Sequence, residues 1–580
     1  MLKELRTLLP YMRKYRLYYL AGLLVLIITD AGQLYLPQLI RKAIDAVASG
    51  RFEPRDVLLL ILQMGGLALI IAGARFAWRY FLHGASRRIE GELRSRLFDH
   101  LQTLSSTFYS RAKTGDLMAR FSNDMRAIRM ASGMALVAFV DGLFMTVAIL
   151  IILFSRNPRL AAFSVIPLPV ITVGVIFFGR SIGEMFRRVQ EGFSRLSEMT
   201  QESISGIRVL KTFVREKVFV GRFGEINREY SRRNMALVRT WGLLFPSVGF
   251  LSGLTTLIFL YLGSRAIMEG SLTPGEFTAF FAYLRMLIWP MLGAGFTVNM
   301  LQRGAASLGR INRILNEKAD ITSPARPLKS RIQGGIEFRN LTYSYPDAGE
   351  PALENISFTV EPGSTLGILG KTAAGKSTLV QLLPRILDPP PGTLFVDGRD
   401  ARRYGLGALR SAISMVPQDD FLFSASLEEN IAFAADDGKE ITRVAAISTI
   451  DRDAGNFPAG WQTMVGERGI TLSGGQKQRV SISRALASPA AIYIFDDSFS
   501  SVDTETEDRI LRGLLPFLAG RTLIIISHRI STLKYADQIL VLDRGQITQR
   551  GSHETLAAEE GFYSEIFRLQ QLAEAIKEGP

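Results

Sequence analysis

A chain of 580 residues is too long for a single hydrophobic core and implies several domains. Hydrophobic residues make up 47% of it and the mean hydropathy is +0.17, which places part of the chain in lipid. The net charge of +14 leaves two readings, nucleic-acid binding or basic loops on one side of a membrane, and the lack of cysteine excludes disulfides and thiolate metal sites.

The N-terminal stretch MLKELRTLLPYMRKYRLYYL interleaves Leu and Tyr with Lys and Arg, the pattern of an amphipathic helix on a membrane surface. It has no short apolar segment followed by a small-residue cleavage site, so no removable signal peptide is expected. Six apolar windows follow, roughly Leu17 to Ile40, Val57 to Tyr80, Ala131 to Phe154, Leu160 to Phe178, Thr240 to Ala266 and Phe277 to Leu301. Each is near the ~20 residues that a spanning helix needs.

The loops after the first, third and fifth windows are short, whereas Phe81 to Met130 and Gly179 to Arg239 are long, polar and helical in pattern. Those two stretches carry Arg87, Arg88, Arg94, Arg96, Arg111, Lys113, Arg187, Arg188, Lys211, Arg215, Lys217, Arg232 and Arg233, so the positive-inside rule makes them and both termini cytoplasmic. Nucleic-acid binding becomes the weaker reading of the charge. The turns near Ser106 to Gly115 and Thr212 to Phe219 are expected to reach a cytoplasmic domain. Within the windows, Asp30, Gln33, Gln38, Arg75, Asp141 and Arg285 either pair between helices or face a cavity, with Asp30, Asp141 and Arg285 as candidates for the substrate path. Pro167, Pro169, Pro246 and Pro290 are expected to kink or loosen their helices.

From Asn316 to Gly335 a polar, Pro- and Lys-containing linker marks a boundary. The division expected is 1–315, an all-α bundle of six membrane helices, then 316–335, a linker, then 336–580, an α/β nucleotide-binding domain. In the last part Gly370-Lys371-Thr372-Ala373-Ala374-Gly375-Lys376-Ser377-Thr378 follows an apolar run and fits the phosphate-loop pattern G-x-x-x-x-G-K-[ST]. Glycine lets backbone N–H groups approach phosphate oxygens, Lys376 supplies a cation, and Ser377 offers a hydroxyl to Mg²⁺. Ala373 sits where further glycine is common, and alanine resists positive φ. Downstream, the strand ending in Asp496 delivers a carboxylate to Mg²⁺, directly or through water. Leu472-Ser473-Gly474-Gly475-Gln476 is a second glycine-rich turn opening a helix.

The set GKTAAGKST, Gln418 in VPQDDFLFSAS, LSGGQ, IYIFDD, SSVDTETE and IIISHR resembles the ATP-binding cassette exporters, and the whole chain is similar to one half-transporter. That resemblance implies ATP and Mg²⁺ as cofactors, with Tyr345 stacking on adenine and Gln418 in the Mg²⁺ shell. It implies Asp503 in the loop coupling two nucleotide sites and His528 as the switch histidine at the γ-phosphate. Val465-Gly466-Glu467-Arg468-Gly469 would contact the long cytoplasmic loops. Such proteins work as dimers that sandwich each ATP between one phosphate loop and the other chain's LSGGQ. The resemblance also implies a multi-pass protein of a bacterial cell (inner) membrane.

One position departs from the pattern. Asp497 stands where the family usually has the glutamate that polarises water, one methylene shorter, and ~1 Å of misplacement can cost ~10² in rate. The expectation is therefore a heterodimer in which this chain's own site is catalytically weak and its intact LSGGQ serves a partner's site. The substrate expected is an amphipathic drug, lipid or peptide. A homodimeric exporter and an ATP-gated channel or regulatory subunit are the alternatives.

Overall fold

The computed structural model describes residues 2–50, 54–346, 349–435, 440–466 and 472–577. It divides into two compact units, one of residues 1–102 and 113–317, the other of residues 103–112 and 318–580.

The first unit is helical. Its principal helices are α1 (Arg16–Ala48), α2 (Pro54–Leu101), α3 (Met134–Arg156), α4 (Pro167–Ser205), α5 (Glu216–Met268), α6 (Pro274–Met286) and α7 (Ile288–Leu315). Among the described residues six helical segments are long and apolar enough to cross a membrane, and each expected window falls inside one of them. At 1.5 Å per residue, the 53 residues of α5 extend roughly 80 Å, far beyond a hydrocarbon core of ~30 Å. Apolar side chains such as Leu69, Val173, Phe177 and Leu257 are exposed along the spans, as a lipid-facing surface requires.

The inner faces of the bundle pack through aromatic and small residues. Phe259, fully buried, stacks on Phe280 at 5.4 Å and on Phe281 at 5.8 Å between centroids. Gly263 and Gly304 admit close helix approach, since a Cβ at Gly263 would lie 2.8 Å from the Phe277 ring and one at Gly304 would lie 2.2 Å from Ala131 Cβ. Polar groups in the spans pair across helices: Arg75 donates to Gln33 Oε1 at 3.1 Å and Gln38 to the Tyr283 hydroxyl at 2.8 Å. Asp30 is buried facing Asp141, and Arg285 is exposed. The prolines act differently from one another. Pro167 and Pro290 lie in the first turns of α4 and α7, where a missing N–H has no intrahelical partner to lose. Pro246 sits inside the continuous α5. The N-terminal amphipathic stretch forms short helical pieces, Leu2–Leu5, Arg6–Leu8 and Leu9–Lys14.

The second unit is α/β. Its strands are β1 (Ile336–Tyr343), β2 (Leu353–Val360), β3 (Thr365–Gly370), β4 (Leu394–Val396), β5 (Arg399–Asp400), β6 (Ile413–Val416), β7 (Ile492–Asp496), β8 (Thr522–Ile526), β9 (Gln538–Asp543) and β10 (Gln546–Gly551). One sheet is antiparallel in the order β2-β1-β4-β5; the other has the order β10-β9-β3-β8-β7-β6, parallel except for β10 at its edge. Strands β7 and β8 are buried at every position, as parallel strands covered on both faces must be. Their alternate residues split between two cores: Tyr493, Phe495, Leu523 and Ile525 enter one, Ile492, Ile494, Ile524 and Ile526 the other.

The segment Thr103–Ala112, which lies in sequence between the second and third spans, belongs to this unit. Its short helix Ser106–Arg111 is held by the Ser106 hydroxyl, which donates to Ile386 O at 2.9 Å. Four helices place the residues of the site: α8 (Lys376–Leu382), α9 (Gly474–Leu486), α10 (Thr504–Phe517) and α11 (Phe562–Lys577).

Candidate nucleotide-binding site

Strand β3 ends at Gly370, and α8 begins at Lys376 after a five-residue loop. Both fixed glycines are required by space. A Cβ at Gly370 would lie 2.3 Å from Leu542 O, and one at Gly375, whose φ is +95°, would lie 2.7 Å from Ala352 O. Ala373 adopts φ +64°, the left-handed conformation that costs an L-residue about 1–2 kcal/mol. The loop therefore keeps its shape with alanine there, at some strain.

Lys376 crosses beneath the loop, its buried ammonium donating to Gly370 O at 2.8 Å and Lys371 O at 2.9 Å. Burial pushes this ammonium below its ordinary value, and the Asp497 and Asp496 carboxylates oppose the shift. Asp496, at the end of β7, is 2% exposed. Burial raises its carboxyl, while a hydrogen bond from Ser377 lowers it, Asp497 raises it and Lys376 lowers it. Asp497 is half-buried with φ +50°, and its N–H donates to Ile526 O at 3.0 Å. Burial raises its carboxyl too, against the pull of His528, Lys376 and Arg529. The His528 imidazole is lowered by burial and by Lys376, and raised by Asp497. Lys376, Ser377, Asp496, Asp497 and His528 thus form one electrostatic cluster at the ends of β3, β7 and β8. Thr372, Ala374 and Thr378 complete the loop and the start of α8, and the Tyr345 hydroxyl lies 3.0 Å from Thr378 Oγ1.

These groups fit a triphosphate with Mg²⁺. The cradle has room for backbone approach but none for a Cβ at Gly370 or Gly375, and among the described residues the buried ammonium hydrogen-bonds only to carbonyls. Ser377 and Asp496 together offer hard oxygen donors. Among the described residues no group of three or more His, Asp or Glu gathers, and Mg²⁺ beside phosphates needs only one or two carboxylates. The metal, when bound, neutralises charge on the phosphates. Gln418, two residues beyond β6, is exposed.

The second glycine-rich turn is built as a helix start. Ser473 caps α9 in a capping box, accepting from Gln476 N at 3.3 Å, while its own N–H donates to Gln476 Oε1 at 2.9 Å. Leu472 is buried beside it, and Gly474 and Gly475 lie over Ser501, with a Cβ at Gly475 falling 2.8 Å from Ser501 O. Gln476 Nε2 donates to Asp453 at 2.7 Å, and Asp453 pairs with Arg479 at 2.6 Å. Asp503 caps α10, accepting from Thr506 N at 2.9 Å, and this hydrogen bonding holds its carboxyl below the usual range.

Several residues that join these parts carry no local signature. Gln478 on α9 is 3% exposed and bonds both Ser500 and Ser501. Arg484, also on α9, donates to Phe421 O, Asn430 O and Asn430 Oδ1 at 2.8–2.9 Å, and so fixes the chain that follows Gln418. Arg529, next to His528, pairs with the buried Glu507 and donates to Val502 O at 3.0 Å. Of the segment Val465–Gly469, residues 467–469 lie outside the described residues.

The family pattern of the ABC transporter transmembrane region matches residues 19–291, and that of the ABC transporter matches residues 353–500. The chain is 37% identical over 586 residues to a probable multidrug resistance ABC transporter ATP-binding/permease protein, YheI of Bacillus subtilis, covering 100% of both.

The chain belongs to the ABC transporter family.

It is also 36% identical to the multidrug resistance-like ATP-binding protein MdlA of Escherichia coli, covering 98% of this chain and 97% of that one. The fold of this ABC transporter superimposes with a TM-score of 0.81, at 26% identity, on a bacterial Atm1-family ABC exporter solved with ATP bound, covering 96% of this chain and 99% of that one. Six apolar helical segments followed by an α/β nucleotide-binding domain are the architecture of such an exporter half.

Proposed function

We propose that this chain is one subunit of an ATP-driven exporter of amphipathic molecules in a bacterial cell membrane. In this reading residues 1–315, apart from Thr103–Ala112, which packs with the cassette, form the transport bundle, 316–335 the linker and 336–580 the cassette, with both termini cytoplasmic. The multidrug-resistance names of the Bacillus and Escherichia relatives support an amphipathic substrate. Lys376, the backbone of Gly370–Thr378 and Tyr345 hold ATP; Ser377, Asp496 and Gln418 hold Mg²⁺; His528 meets the γ-phosphate. Leu472–Gln476 and Asp503 serve the nucleotide held by a second chain. Closure of the two cassettes follows from the higher affinity of the closed pair for nucleotide, and opening follows hydrolysis.

The observation that carries the finer reading is Asp497. It directly follows the metal-holding Asp496 and faces Lys376 and His528, in the place of the residue that polarises water. Its carboxyl is a methylene short, so it sits about 1 Å away from where a glutamate would meet the attacking water; placement, not acidity, is what makes it serve poorly as a base. The capped, intact Ser473–Gln476 turn suits service to a better site on a different chain, which makes a heterodimer the economical assembly.

The test is steady-state ATP hydrolysis by the purified chain in lipid, native against Asp497→Glu. Low native turnover with a large gain on substitution supports the weak site and the heterodimer. Substantial native turnover unchanged by glutamate overturns both and leaves a homodimeric exporter. Turnover stimulated by transported substrate in the presence of a partner separates transport from an ATP-gated channel or regulatory subunit.

A further inference from the structure

The switch loop holding His528 is gripped on two sides. Inside, Arg529 pairs with Glu507, which also accepts from the Thr532 hydroxyl, and Arg529 N donates to Ser527 Oγ at 3.0 Å. Outside, one side chain of α11 spans the loop: Gln570 Nε2 donates to His528 O at 2.8 Å, and Ile530 N donates to Gln570 Oε1 at 2.8 Å. The amide therefore satisfies one acceptor and one donor on either side of Arg529 at once.

Among the described residues no hydrogen bond reaches the His528 imidazole, whereas its backbone carbonyl is held by Gln570. The helix that supplies Gln570 is itself anchored. Tyr563 is fully buried, its hydroxyl lies 2.8 Å from His553 Nδ1, and its N–H donates to Gln549 at 3.1 Å. The first residue of the same helix, Phe562, meets a side chain of the phosphate loop, with Lys371 Nζ 5.4 Å from its ring centroid. One helix thus touches both the loop that cradles phosphate and the loop that carries the switch histidine.

We propose that Gln570 is a positioning residue for His528, through which α11 sets where the imidazole points. The assignment rests on the reading of His528 as the γ-phosphate contact, and it adds a second handle on the nucleotide site, 42 residues away in sequence. A movement of α11 that withdraws the amide would free both the His528 carbonyl and the Ile530 N–H, and the imidazole would lose its fixed aim.

The test uses the full chain in lipid nanodiscs with ¹³C-labelled histidine, whose four residues give few resonances, His528 being assigned by its loss in His528→Gln. In the native chain burial and the Lys376 ammonium are expected to hold the His528 imidazole below its ordinary value, against the Asp497 carboxylate. Gln570→Met removes both hydrogen bonds. Gln570→Glu keeps an acceptor for Ile530 N but sets a carboxylate against the His528 carbonyl. Both are expected to move the midpoint upward and to broaden or double the resonance, whereas Leu572→Ala, on an exposed position of the same helix, leaves it in place. A midpoint and line unchanged in the Glu variant overturn the proposal even if the Met variant fails to fold. The measurement needs neither ATP turnover nor a partner, so its failure is distinct from failure of the exporter reading.

Discussion

Gln478 and Ser501 are joined by a hydrogen bond of 2.9 Å from the Ser501 N–H to the Gln478 side-chain oxygen, while the same amide donates to Ser500 Oγ at 2.9 Å. The signature helix α9 thereby holds the loop that leads to Asp503. Replacing Gln478 by Leu leaves the amide partners unsatisfied in a part-buried setting, at a cost of about 1–3 kcal/mol. Thermal unfolding of the full chain should show this loss, and turnover at a partner's site should fall as the loop drifts from Gly475. A variant with native stability would mean that water replaces the bonds.

The phosphate loop offers two opposite backbone substitutions. Gly375→Ala puts a Cβ 2.7 Å from Ala352 O at φ +95°, so it should abolish binding of a fluorescent ATP analogue and lower the melting temperature. Ala373→Gly removes the strain at φ +64° but adds about 0.5–1 kcal/mol of chain entropy on folding, so stability should change little. A large loss from the second change would show that the Ala373 methyl makes a contact of its own.

Asp420 predicts a pH dependence. Burial raises its carboxyl to about 6, opposed by Ser481 and Arg484, and among the described residues its Oδ1 has no hydrogen-bond partner. A carboxyl raised on folding binds a proton more readily in the folded state, so its penalty is absent at low pH and grows as pH rises from the ordinary carboxylate range through about 6. Asp420→Asn should therefore stabilise the chain at pH 7.5 by on the order of 1–3 kcal/mol and change little at pH 4. Melting temperatures of both proteins across that range decide it; a constant difference would assign the effect to something other than titration.

The proposed asymmetric assembly predicts unequal losses. In a complex with a partner, Lys376→Ala should weaken ATP binding at this chain's loop while turnover persists at the other site. Ser473→Ala should reduce turnover more, beyond the ~1 kcal/mol of stability that its helix cap contributes. Measuring ATP turnover and melting temperature together separates the two effects, and equal losses of turnover would count against asymmetry.

The parts of the fold that were legible in the sequence are those specified locally. Six apolar windows became six spanning segments because length and hydropathy alone decide that outcome. The stretch from Gly370 to Thr378 announced a strand, loop and helix because glycine, lysine and serine at fixed spacing leave few backbone solutions, whereas Ala373, expected to resist positive φ, adopts +64° because the loop demands it. The prolines were read unevenly: the segments Pro158–Ser205 and Pro274–Leu315 are interrupted at Ile166 and Leu287, beside Pro167 and Pro290, as expected, whereas Pro246 sits inside the continuous α5. Gln478, Arg484, Arg529 and Gln570 were invisible because their partners lie 22 to 63 residues away and a polar residue on a helix gives no periodic signal of a tertiary bond. The placement of Ser106 beside Ile386 is 280 residues long in sequence, and only a turn between two long polar helices hinted at it.

The membership of Thr103–Ala112 in the second unit has a practical edge for anyone cutting the protein in two. A fragment made from residue 318 onward would be missing ten residues that pack with it, and the Ile386 carbonyl would lose the hydroxyl that satisfies it. Such a piece is a cassette with one of its own surfaces peeled off. Supplying the Thr103–Ala112 peptide in trans, or grafting it onto the fragment, is the natural way to restore that surface before its behaviour is taken as that of the whole.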